Sequence, residues 1–120
     1  MSDSVTADRF QNRGVRVLAT PILSYWMESA AVNAIANQLE PGEATVGTQI
    51  TLEHLAATPV GMRVTVRAEV SSVDGRRIAF RTEAHDEREL IARGTHERVV
   101  VDLERFLARV SNKANQTTTR

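Results

Sequence analysis

The chain has 120 residues, 42% hydrophobic and 25% charged, which suits one domain around one apolar core. Fifteen basic residues balance fifteen acidic ones, which argues against binding nucleic acid or an anionic membrane through bulk charge. No cysteine is present, so disulfides, thiolate catalysis and Cys-ligated metal are excluded.

The opening MSDSVTADRF has neither an apolar run nor a basic start, so no secretory signal is expected there. No stretch of about 18 apolar residues exists to cross a membrane. A cytoplasmic protein is the expectation. Val15 to Leu18 reads as a short first strand. Thr20-Pro21 then opens a helix, with Thr as N-cap and Pro at the first turn. The helix is expected from about Pro21 to Leu39. Leu23, Trp26, Met27, Ala30, Ala31, Ala34 and Ile35 follow the i, i+3, i+4 spacing of one face. Val32, Ala36 and Leu39 fall on the other side, which predicts a helix wrapped by the sheet. Glu40-Pro41-Gly42 stops it.

Four strand-like segments follow. Ala44 to Glu53 places Val46, Thr48, Ile50 and Leu52 on one face. Met62 to Val70 alternates apolar with polar, and Asp74-Gly75 signals a tight hairpin. Arg77 to Ala84 and Leu90 to Val101 complete the set, joined by the charged turn Asp86 to Glu89. Asp102 is placed to cap a short C-terminal helix carrying Leu103, Phe106, Leu107 and Val110 on one face. The order is strand, long helix, then four antiparallel strands. It predicts an α+β hotdog fold: a curved sheet of about five strands around one central helix. A ferredoxin-like arrangement needs a second long helix between strands, and none is indicated. Residues 1–120 form a single domain, with 1–12 and 111–120 expected to be flexible.

Three polar residues break the apolar pattern. Between Arg16 and Glu40 the only charge is Glu28. A carboxylate in a buried helix is neutralised, paired or retained for chemistry. His54 continues the inward parity of its strand and points to the helix side. A carboxylate and an imidazole meeting in a sparsely hydrated cleft form an acid/base pair. Thr20 puts a hydroxyl at a helix start, where amides and the helix dipole favour anions. Glu53 and His85 have outward parity, and His96 in GTHER has no clear face. The three histidines have no spacing that suits a metal site. No phosphate loop, nucleophile elbow or dinucleotide fingerprint occurs, so no metal and no cofactor are expected.

VLATP, MESAA, GEATVGT, LEHLAATPVGM, VDGRR and GTHERVVVD together resemble the hotdog thioesterase family that includes fluoroacetyl-CoA thioesterase. The resemblance covers roughly Val17 to Val110. It implies hydrolysis of a short-chain acyl-CoA, coenzyme A being part of the substrate. By motif it assigns Thr20, Glu28 and His54 as the catalytic set, and it places the amide of Gly47 near the thioester. It also implies a homodimer, or a higher oligomer, with active sites at the interface. Arg76, Arg77, Arg81, Arg93 and Arg98 are available for coenzyme A phosphates, and Arg98 is the substrate-binding candidate. The family's aromatic-rich lid is reduced in RFQNRGVR to Phe10. A non-catalytic acyl-CoA-binding hotdog protein and an enoyl-CoA hydratase of the same fold are the alternatives. A hydratase has no use for a hydroxyl at Thr20.

Overall fold

The computed structural model describes residues 1–10 and 12–118. One helix, α1 (Thr20–Ile35), continues into a 3-10 turn, Ala36–Gln38. It lies on an antiparallel sheet of β1 (Glu43–His54), β2 (Thr65–Asp74), β3 (Arg77–His85) and β4 (Leu90–Asp102), in the order β1-β4-β3-β2. A second helix, α2 (Leu103–Thr118), follows. The α+β class, the antiparallel sheet and the long first helix match expectation.

The core forms where helix period meets strand period. Leu23, Met27, Ala31 and Ile35 recur every fourth residue and are buried along one line of α1. They meet Ile78, Phe80 and Ala84 of β3 and Ile91 and Ala92 of β4. The Thr82 hydroxyl, also buried, donates to Met27 Sδ at 3.4 Å. The opposite face of the sheet is charged: Glu53 aligns with Arg93, Arg93 with Glu83, and Glu83 with Arg67. Only the Glu53–Arg93 pair closes, at 3.2 Å. Exposed pairs of this kind contribute little to stability. They mark the solvent face.

Several expectations are corrected. The sheet has four strands, not about five. Val15–Leu18 makes only isolated bridges, Thr6 to Leu18 and Val17 to Pro59. Proline has no N–H to extend a ladder, and the N-terminal segment takes the remaining bonds of this stretch, with Ala7 N–H donating to Val17 O at 2.7 Å. The helix is covered on one face, not wrapped: Tyr25 is 64% and Val32 39% exposed. The C-terminal helix is not short. Asp102 caps it, accepting from Arg105 N–H at 3.0 Å, and no Gly or Pro interrupts the next 16 residues. Of the termini expected to be flexible, residues 11, 119 and 120 lie outside the described residues. Residues 1–10 form two 3-10 turns, and the Met1 amine donates to Met62 O at 3.0 Å.

The hairpin and turn readings hold. Gly75 sits at the β2–β3 turn with φ +60°, the left-handed region that glycine enters at no steric cost. In the turn before β4, Asp86 Oδ1 accepts from Arg88 N–H at 2.8 Å and Glu89 N–H at 3.0 Å. The Arg88 amide above all holds the Asp86 carboxyl below the usual range; burial opposes it, and the Glu89 amide, the Thr58 hydroxyl and the Arg88 charge add to the lowering.

Candidate active site

One backbone irregularity shapes the site. The β1–β4 register slips between Gly47 and Gln49. Such a bulge adds one residue and turns the strand. Before it, Gly47 pairs with Arg98; after it, Ile50 pairs with His96 and His54 with Ala92. The side of β1 toward α1 therefore carries Thr45 and Gly47, then Ile50, Leu52 and His54. This corrects the simple alternation, which put Val46 and Thr48 inward. His54 keeps its expected side.

At the start of α1, Thr20 Oγ1 lies 2.7 Å from His54 Nδ1. Thr20 is the first helical residue; Ala19 is the N-cap, which corrects the capping role expected of Thr20. The amides of Ile22 and Leu23 both return to Ala19 O, and Pro21 has none. The Thr20 hydroxyl is thus free to bond the imidazole. His54 Nε2 is shut off from water with no hydrogen-bond partner. Burial accordingly holds the His54 pKa below its ordinary value, and the Ala56 backbone opposes this.

Glu28 lies eight residues after Thr20, about 12 Å further along the helix axis. It does not meet His54 within one chain. Its side chain is 45% exposed, not buried, and Oε2 accepts from Arg98 Nη1 at 3.3 Å. Arg98, the substrate-binding candidate, is buried. Its Nε donates to Thr45 Oγ1 at 2.9 Å and its Nη2 to Thr45 O at 3.0 Å. Nη1 also reaches His96 Nε2 at 3.1 Å. A Cβ on Gly47 would come within 3.2 Å of Glu28 Oε2, 3.2 Å of His96 Cε1 and 3.3 Å of Arg98 Nη1. Glycine lets these three groups converge. The cleft over them, about 310 Å³, is lined by Glu28, Gly47, Thr48, Gln49, Ile50 and His96.

Two clusters result: Thr20 with His54, and Glu28 with Gly47, His96 and Arg98. Sequence reasoning missed His96 and the burial of Arg98. Both follow from alternation along β4, in which 92, 94, 96 and 98 share one side. The opening to them is the bulge, which no local sequence signal announces.

The model of a family described as fluoroacetyl-CoA-specific thioesterase matches residues 1–104. The fluoroacetyl-CoA thioesterase of Streptantibioticus cattleyicolor is 52% identical over 97 residues, covering 81% of this chain and 70% of its own. The chain belongs to this family. A crystal structure of a variant fluoroacetyl-CoA-specific thioesterase, in complex with fluoroacetate and CoA, superposes with TM-score 0.87 at 43% identity, over 93% of this chain and 92% of that one. A thioesterase superfamily member from Thermus thermophilus superposes with TM-score 0.92 at 30% identity, over 100% and 89%. The fold is therefore that of hotdog thioesterases. No helix among the described residues is long and apolar enough to cross a membrane. No group of three or more metal-ligating side chains occurs among them.

Proposed function

We infer that this protein is an acyl-CoA thioesterase that releases coenzyme A and a short-chain acid. Family membership carries the activity. The 2.7 Å bond between Thr20 Oγ1 and His54 Nδ1 is the observation that favours acyl transfer over hydration. His54 takes the Thr20 proton, and Thr20 Oγ1 attacks the thioester carbonyl. The C–S bond breaks, and the departing thiolate recovers the proton from His54. Water then cleaves the acyl-threonine ester: Glu28 takes the water's proton as the new C–O bond forms, and the proton passes to Thr20 Oγ1 as the ester bond breaks, which restores both groups. The Thr20 N–H, the amide of the first turn that has no backbone acceptor among the described residues, faces the developing oxyanion.

We read the site as closing across a homodimer. The outer edge of β1 is unpaired in the sheet, and free edges of this length are normally covered. An antiparallel pairing of β1 with its copy, centred near Ile50 and Thr51, sets Gly47 of one chain across from His54 of the other. Glu28 stands over Gly47, so the same pairing delivers it to the second chain's Thr20–His54 pair. The exposed Tyr25 and Val32 of α1 supply apolar surface on that side.

Thiol release tests the function, with a hydration assay run alongside. The 310 Å³ cleft predicts higher kcat/KM for acetyl- and butyryl-CoA than for palmitoyl-CoA, since misfit methylenes cost about 1–3 kcal/mol each. No thiol release from any acyl-CoA overturns the assignment. A preference for palmitoyl-CoA overturns the short pocket alone.

The pH dependence follows from His54. A base whose pKa is lowered stays neutral further into acid, so kcat/KM holds through about pH 6.5 and falls below it as the ring protonates. Stability moves with the same sign: the unfolded chain binds the proton first, so stability is lost as pH drops below the ordinary histidine value. An acid limb centred clearly above pH 6.5 rules out a desolvated His54 as the base.

A further inference from the structure

His96 is one of the most buried polar residues of the chain, 2% exposed, yet the mechanism above does not use it. Its ring stacks on Phe80, with centroids 5.9 Å apart. Nδ1 faces the Gln49 carbonyl at 2.8 Å, and Nε2 faces Arg98 Nη1 at 3.1 Å. A carbonyl only accepts and a guanidinium only donates. One form of the ring satisfies both: neutral, with the proton on Nδ1 and a bare lone pair on Nε2. The other neutral tautomer fails at both ends. An imidazolium sets N–H against N–H at Arg98. The Gln49 carbonyl belongs to the residue just past the bulge, so the irregularity that turns Gly47 inward also supplies the acceptor that fixes this tautomer.

We propose that His96 is a positioning residue: its bare Nε2 anchors the Arg98 guanidinium, which sets the Glu28 carboxylate over Gly47. Thr45 holds the far side of that guanidinium through Nε and Nη2. Nη1 is the donor that reaches Glu28, and His96 is its other acceptor. Without it, a buried N–H of Nη1 is left unpaired, and the guanidinium is free to pivot about Thr45. Glu28, half exposed on its helix, has no other partner among the described residues to fix its rotamer. The arrangement is an outer layer of support for a reacting group. It rests on Glu28 being an active-site residue.

The test compares wild type, Glu28→Gln, His96→Phe, His96→Asn and His96→Gln with butyryl-CoA, measuring kcat, KM and thermal midpoint. Phe keeps the stacking volume and loses both hydrogen bonds. Asn keeps a donor for Gln49 and loses the acceptor for Arg98. Gln extends far enough to give Arg98 an acceptor oxygen. His96→Phe and His96→Asn are expected to lower kcat on the order of tenfold with KM within about twofold, the mark of misplaced chemistry and not of lost binding. His96→Gln should stay within about threefold of wild type by the same reasoning. Wild-type kcat in His96→Phe overturns the proposal, as does a Gln variant no better than the Asn one. A measurement on the wild-type protein does not depend on variants folding: nitrogen-15 NMR should find His96 protonated on Nδ1 and bare on Nε2, and any other state overturns the anchor. Full activity in Glu28→Gln overturns the reading of the site itself. Its loss alongside fully active His96 variants overturns only the part given to His96.

Discussion

Glu28→Gln lowers kcat by on the order of 10² or more while leaving the thermal midpoint within a few degrees of wild type. The first half follows from the reaction. Glutamine keeps the shape of the side chain and cannot take a proton from water, and losing a positioned acid/base group costs about 10²–10⁴ in rate. The second half follows from burial. Glu28 is half exposed, and its one ion pair, with Arg98 at 3.3 Å, leaves the guanidinium still bonded to Thr45 and His96. A glutamine oxygen can also accept from Nη1. KM should therefore change little. Kinetics on butyryl-CoA beside a melting curve separate the two effects. A variant that melts much earlier and retains its kcat marks Glu28 as a structural residue.

Glu28, His54 and Thr20 stand out in the sequence as candidates because each breaks a pattern. Glu28 is the lone charge of an apolar helix, His54 takes a place due to a hydrophobic residue, and Thr20 stands before a helix-starting proline. Strand and helix positions were legible for the same reason, since the periods of 2 and 3.6 are written directly in the chain. Their grouping was not. Alternation along β1 holds only until the ladder slips at Gly47 and Gln49. A slip of one residue exchanges the faces of every side chain on one side of it. That is why Val46 and Thr48 were expected inward, and why the convergence of Glu28, His96 and Arg98 over Gly47 was not foreseen. The missing fifth strand has a similar origin. Val15–Leu18 has strand composition, but its neighbour across one bridge is Pro59, and pairing partners distant in sequence are invisible to local pattern. The helix was expected to be wrapped because its composition is apolar nearly all round. One chain covers only the Leu23–Ile35 line. The remaining apolar positions are what a second chain would use.

Mixing Glu28→Gln with His54→Ala restores activity that neither variant has alone. His54→Ala removes the base bonded to Thr20 at 2.7 Å and should lose at least about 10² in kcat. Within one chain the Glu28 cluster and the Thr20–His54 pair stand apart, on the order of 12 Å along α1. If the site closes across the β1 edge, each site takes Thr20 and His54 from one subunit and Glu28 from the other. A heterodimer of the two variants then holds one intact site and one site with both defects. Random reassortment makes half of the dimers mixed, so recovery approaches about a quarter of wild-type activity. The measurement is thiol release after the two variants are unfolded and refolded together, with each refolded alone as control. Light scattering on the same samples should give twice the 13.3 kDa chain mass. A site contained in one chain predicts no recovery at any mixing ratio, because every subunit then carries its own defect. A dimer mass without recovery retains the dimer and returns Glu28 to its own chain's site. A monomer mass removes the shared site altogether, since an unpaired β1 edge then has no second His54 to face.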